Sequence, residues 1–274
     1  MEDVRLRFEP RYPEENRGDS PSSEARPIPP QQEVRVRLPT GQPRAVWVLL
    51  AINILLFLVS NLLSFILDPR SCAPLDTYNC ALLILGWKQN SLIDQGQYWR
   101  LVTAMFLHGG LLHIFFNGYA LFVLGPETER IFGTLRFLAL YFVAGLAGSV
   151  ASYAFSPSPS VGASGAIFGL VGALGAFFYL SRDVLGDAGR AQLQSMIFIV
   201  VINLAIGFGA SGVIDNYAHI GGLIGGILAG VLLAPRYVID RRLYPPVVAR
   251  QFHTFGWVGV AGLFVLLTML TIVI

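Results

Sequence analysis

SVGASGAIFGLVGALGAFFYL, residues 160–180, contains five glycines and a lone serine pair but not one charged side chain. The same is true of the whole interval from Phe137 to Ser181. Such a stretch is long enough for two bilayer-crossing helices, because a hydrocarbon core of about 30 Å takes roughly 20 apolar residues per helix. The Pro/Ser break at Ser156-Pro157-Ser158-Pro159-Ser160 divides it. Working outward, further windows without charge run over Ala45–Leu67, Val102–Gly125, Ala191–Pro235 (long enough for two, divided near Asp215) and Gly256–Ile274. Seven spans are expected. The composition agrees: 54% of the 274 residues are hydrophobic and 13% charged, against about 25% charged in soluble domains. The expected fold class is all-α, a polytopic membrane helix bundle.

Basic residues orient the bundle, since short cytoplasmic loops hold the excess of Lys and Arg. Eight Arg precede position 45, and Arg130, Arg136, Arg182, Arg190, Arg236, Arg241, Arg242 and Arg250 fall in loops on the same side. The opposite side has only Arg70, Lys88 and Arg100. This places the N-terminus in the cytoplasm and, after seven spans, the C-terminus outside, with the cell membrane as the expected location. Residues 1–44 combine eight Arg, eight acids and eight Pro, a composition expected of a disordered cytoplasmic tail. They hold no apolar core of a signal peptide. A six-helix core is expected over 45–235, a cytoplasmic linker over 236–255 and a seventh helix over 256–274. A formal charge of +2 argues against a nucleic-acid partner. Cys72 and Cys80 both fall in the first outward loop, where either a disulfide or two free thiols would suit an oxidising side.

That loop, Asp68–Arg100, mixes Leu, Ile, Trp and Tyr with polar residues, as a segment in the membrane interface or packed on the bundle would. Small residues also form stripes. At about 100° per residue, Ser164, Phe168, Gly172 and Gly175 share a face of span four, and His219, Gly222, Gly226 and Gly230 share one of span six. Such faces let membrane helices approach closely, and the approach would bring Ser164 beside His219.

Polar groups inside hydrocarbon are costly unless satisfied, so ionisable ones point to function. Three of the four His, at 108, 113 and 219, lie in or at the outer edge of spans. Ser164 opens a helix, where free N–H groups and the helix dipole favour negative charge; alone, it reads more simply as an N-cap. With His219 it forms a candidate Ser-His dyad, the imidazole taking the serine proton. Phe168, one turn below Ser164, could hold that imidazole by stacking. Asp215 reads as the cap of span six rather than as an orienting acid. His113 and Asn117, four apart, share a helix face, while His108 belongs to the turn above. As hydrogen-bond donors the pair suits a developing oxyanion, though helix–helix glue is an equal alternative. A zinc site lacks H-E-x-x-H or a nearby acidic third ligand.

YWR at Tyr98–Arg100, H-x4-H-x3-N at His108, His113 and Asn117, G-x3-E-x3-G at Gly125, Glu129 and Gly133, GASG at Gly162–Gly165 and A-H-x2-G-x3-G at Ala218–Gly226 occur in one order. Together they resemble the rhomboid family of intramembrane serine proteases, in its form with a seventh helix after a six-helix core. The resemblance implies that Ser164 is the nucleophile and His219 the base. It implies an oxyanion hole made by His113, Asn117 and the Ser164 N–H, and a Gly162 that keeps the approach open. Trp99 and Arg100 would anchor the outward loop, and Glu129 would pair with an inward Arg. Phe168 departs from the Tyr that many members carry.

The expected function is thus an intramembrane serine endopeptidase that cuts transmembrane segments of single-span membrane proteins and uses no cofactor or metal. Two alternatives differ in class. A catalytically inactive rhomboid-like protein would bind client helices, but Ser164 and His219 are both retained. A proton-relaying transporter would show a second inverted half, and no internal repeat is present.

Overall fold

In a computed structural model, the structure describes all residues except 1–2, 9–31, 38–40, 71, 211–213 and 241–246. Contacts divide the chain into two units, residues 1–39 with 237–250, and residues 40–236 with 251–274. Among the described residues the first unit holds β1 (Asp3–Phe8), β2 (Gln32–Arg37) and most of β3 (Arg236–Asp240) and β4 (Val247–Gln251). β1 and β2 pair antiparallel, with Val4 opposite Val36 and Leu6 opposite Val34. Both strands lie within residues 1–44, for which a disordered cytoplasmic tail is expected, and most of that segment lies outside the described residues. In the sequence Val4, Leu6 and Phe8 alternate with charged neighbours, which is a strand pattern. β3 and β4 form a second two-stranded sheet within the 236–255 linker.

In the second unit each charge-free window contributes helix, and shorter helices form in the loop after the first. The helices are α1 (Ala45–Ile66), α2 (Thr77–Leu85), α3 (Asn90–Ile93), α4 (Arg100–Thr103), α5 (Leu111–Phe132), α6 (Thr134–Phe155), α7 (Ser164–Leu180), α8 (Arg182–Gly209), α9 (Asn216–Leu233) and α10 (Gly256–Val273). Among the described residues α1, α6, α8, α9 and α10 are long and apolar enough to cross a bilayer. A sixth span exists if α4, the 3-10 turn Ala104–Phe106 and α5 are taken together across a bend of 89°. The protein is an integral, multi-pass membrane protein.

Two of the seven expected spans differ from a simple crossing. The second is broken at residues 107–110, where Gly110 has φ 153°, so the long helix begins nine residues later than expected and runs on through Glu129. The fourth, α7, has 17 residues and is about 25 Å long, short of the hydrocarbon thickness.

Glu129 explains why α5 can carry a buried acid. Its carboxylate accepts from the N–H groups of Arg44, Ala45 and Val46 and from Thr134 Oγ1, each at 2.8–2.9 Å. The expected pairing with an inward Arg is therefore corrected. The charge is met by the free N–H groups that open α1, where the helix dipole also favours an anion.

The core is a three-helix sandwich in which α9 packs between α6 and α7. Its glycines form two seams. A Cβ at Gly221 or Gly225 would meet Ala147 and Ala151 of α6, whereas one at Gly222, Gly226 or Gly230 would run into the backbone of Gly165, Gly169 and Ala173 on α7. This shifts the stripe expected on span four: Gly165, Gly169, Gly172 and Ala173 make the seam, while Gly175 faces Leu193 and Met196 of α8. With four glycines on α7 and five on α9, more than one face of each is smooth, and spacing alone does not choose between them.

The loop between α1 and α5, expected to face outward, is folded over its described residues. Cys72 and Cys80 are joined by a disulfide, α2 is capped by Asp76, whose carboxylate accepts from Asn79 N, and these bonds hold the Asp76 carboxyl below its usual range. Arg100 donates to Leu83 O, Trp87 O and Gln97 Oε1 and lies 4.7 Å from the Trp99 ring centroid. A guanidinium that satisfies carbonyls on both sides of Gly86 ties the loop to the start of α4.

Candidate active site

Ser164 is the first residue of α7. The capping position belongs to Ala163, and no side chain caps the helix, so the Ser164 hydroxyl is not spent as an N-cap. The seam sets its neighbour. Because Gly165 and Gly222 lack side chains, α7 and α9 approach until a Cβ at Gly222 would lie 2.0 Å from Gly165 O. This juxtaposes the helix turns that carry Ser164 and His219. Phe168 stacks on the imidazole with centroids 4.2 Å apart and planes at 11°. No hydrogen bond joins Ser164 to His219 among the described residues. Catalytic contacts commonly tighten only when substrate is bound.

Asp215 lies on the same turn of α9 but serves the helix. One carboxylate oxygen accepts from Ala218 N at 3.0 Å, and the other accepts from Ser152 Oγ. His219 Nδ1 is buried without a partner. The ring is therefore held by stacking, not by a carboxylate. Removing the acceptor with Asp215→Ala is expected to lower unfolding free energy by about 1 kcal/mol, whereas Asp215→Asn keeps an acceptor and loses only part of this. Denaturation of the two variants in detergent checks the order.

A second group converges from α5. His113 Nδ1 accepts from Gly109 N at 3.3 Å, which leaves the ring proton on Nε2. Asn117 uses one amide hydrogen on His113 O at 3.1 Å, which leaves the other free to donate. Both groups point at Gly162, which has φ 126°: a Cβ there would lie 2.7 Å from His113 Nε2 and 3.7 Å from Asn117 Nδ2. The missing side chain leaves a space faced by two N–H donors, two residues before Ser164. His108 lies in the break above, wholly buried, with its ring edge-on to His113 at 5.2 Å and its carbonyl accepting from Tyr78 OH at 2.6 Å. Among the described residues no group of three His, Cys, Asp or Glu is placed to hold a metal.

The structure thus stacks Phe168 on His219, sets the first turn of α7, which carries Ser164, against the turn of α9 that carries His219, and turns His113 and Asn117 toward Gly162. His108 packs on the far side of His113, and Trp99 and Arg100 lie where the loop between α1 and α5 enters α4. A cavity lined by Gly162 and Ser164 is also lined by Lys88, Ser149, Ser152 and Ser160. Two of its features escaped sequence reasoning. Ser152 lies in a charge-free helix with no motif around it, and Lys88 reads as an ordinary outward charge although it is 1% exposed.

Comparison with known proteins covers this same region. The family model described as Rhomboid domain matches residues 95–236. The chain is 43% identical over 193 residues to rhomboid protease GluP of Bacillus subtilis (strain 168), covering 70% of this chain and 35% of that protein. It is 38% identical over 168 residues to RHOMBOID-like protein 5 of Arabidopsis thaliana, 59% of this chain and 53% of that one. RHOMBOID-like protein 6, mitochondrial, of the same plant is 39% identical over 150 residues, 54% and 47% of the two chains. The chain spans about a third to a half of the length of these relatives.

Proposed function

The chain belongs to the rhomboid family, and from that premise we propose that it is an intramembrane serine endopeptidase acting through a Ser164–His219 dyad on transmembrane segments of single-span proteins. The observation that carries the proposal is the convergence of the His113 and Asn117 donors on the gap at Gly162, beside a serine that opens its helix unspent.

In the proposed reaction the Ser164 oxygen attacks the scissile carbonyl and its proton passes to the His219 imidazole. Charge develops on the carbonyl oxygen in the space before Gly162, where His113 Nε2–H, Asn117 Nδ2–H and the Ser164 N–H stabilise it. One such donor is worth about 2.7–4 kcal/mol. The imidazolium then gives its proton to the leaving amine, leaving an acyl ester on Ser164. Water, deprotonated by the same imidazole, attacks the ester; the products are a carboxylic acid and the free hydroxyl. The lining hydroxyls of Ser149, Ser152 and Ser160 give the cavity the polar partners that a water needs.

The shortness of α7 supports a cut inside the membrane. If its Arg182 end lies at the inner surface, as the distribution of basic residues suggests, a helix of about 25 Å starts below the outer one. That orientation places the N-terminus in the cytoplasm and the reaction near the outward end of the substrate helix. A substrate must extend there, so segments with Gly or Pro near the cut are favoured.

A fluorophosphonate probe is expected to label the wild-type protein and neither Ser164→Ala nor His219→Ala. Equal labelling of all three, or none of the wild type, would remove the dyad and leave the client-binding alternative.

A further inference from the structure

Lys88 is a lysine out of place. It is 1% exposed, in a chain where long cationic side chains normally keep their heads in water. Burial pushes its amine down to about 8, against an opposing pull from Asp215. What it touches is the segment that leads into Ser164. Its Nζ donates to Ser156 O at 2.6 Å and Ser158 O at 2.9 Å. Its backbone exchanges two bonds with Ser160, Lys88 N to Ser160 O at 3.0 Å and Ser160 N to Lys88 O at 3.1 Å. Asn90 adds Nδ2 bonds to Tyr153 O and Ser156 O.

These contacts answer a definite need. α6 ends at Phe155 with carbonyls that no further turn will satisfy. The chain then crosses to α7 through Ser156-Pro157-Ser158-Pro159-Ser160, in which two prolines provide no N–H for a local turn. A cation at the negative end of α6 meets both the carbonyls and the dipole. After Ser160 one further bond, Gly162 N to Ala104 O at 2.9 Å, precedes α7. Lys88 thus makes four hydrogen bonds to this segment, the last two of them at Ser160, two positions before the gap at Gly162.

We propose that Lys88 is a positioning residue of the active site, fixing the 156–162 segment so that Gly162 and Ser164 stand in register with His113 and Asn117. The assignment rests on the peptidase reading. Without the Nζ donors, the Ser156 and Ser158 carbonyls seek other partners and the segment shifts. A displacement of about 1 Å at a reacting centre costs up to about 10²-fold in rate. The segment sets the positions of the reacting groups rather than a contact with bound substrate, so the loss is expected on kcat.

The test uses the full chain in detergent with a fluorogenic transmembrane peptide and the fluorophosphonate probe. Lys88→Met is expected to lower kcat by about 10–100-fold with KM nearly unchanged, and to slow labelling of Ser164 in parallel. Lys88→Gln, which keeps one donor, is expected to fall between. Wild-type kcat in both variants, or a rise in KM at constant kcat, overturns the proposal. Loss of the folded state in both, seen as loss of a cooperative melting transition, overturns it too by assigning Lys88 to stability alone. Failure of the peptidase reading has a different signature: the wild-type protein is then unlabelled at Ser164.

Discussion

A methyl group at position 162 is expected to lower the rate of peptide hydrolysis by at least about 10³-fold while the chain still folds. Gly162→Ala places a carbon 2.7 Å from His113 Nε2 and 3.7 Å from Asn117 Nδ2. It thereby occupies the space toward which both donors point. Loss of one donor to a developing oxyanion costs about 10²–10³-fold, and here two are obstructed together. The backbone adds strain, since φ 126° is a conformation that L side chains rarely adopt, at about 1–3 kcal/mol. That is tolerable for a segment also held by Lys88 and Ala104. Steady-state hydrolysis and thermal unfolding, measured together, check the expectation. Wild-type kcat in the folded variant would show that the oxyanion does not form at Gly162.

Position 162 also marks how far the sequence could be followed. The helices were legible because charge is excluded from hydrocarbon over lengths that geometry sets, and windows of about 20 residues are hard to mistake. The candidate site residues stood out because serine, histidine and asparagine are costly in such windows. The links between distant segments did not. Glu129 caps a helix that begins 84 residues earlier, and nothing near it announces that partner; an Arg was the natural expectation for a lone buried acid. Lys88 counts as an outward charge in any tally of loops, and only the fold shows that α6 ends above it. The break at residues 107–110 is hidden inside an unbroken apolar window and was signalled only by Gly109-Gly110. The seam on α7 was misplaced by one residue because neighbouring glycines make adjacent faces equally smooth. The pattern of apolar and small residues thus identifies which helices can touch, and backbone contact decides the phase.

That phase governs the second large effect. Gly226→Val is expected to destabilise the folded protein by about 3 kcal/mol or more, whereas Gly262→Val changes nothing measurable. Overpacking a well-filled core commonly costs about 1–3 kcal/mol when side chains can move aside. At Gly226 they cannot, since a Cβ would lie 2.1 Å from Gly169 O and 2.3 Å from Gly169 Cα, both backbone atoms of a helix. Relief requires α9 and α7 to separate. Separation moves His219 off Phe168, which it now stacks at 4.2 Å, so activity falls in the fraction that remains folded. Gly262, on α10, has nothing within 4 Å of its Cβ position, and valine there adds apolar surface to an apolar face. Midpoints of thermal unfolding in detergent compare the two directly. Equal midpoints would mean that the α7–α9 contact does not set the helix spacing, and the juxtaposition of Ser164 with His219 would lose its physical cause.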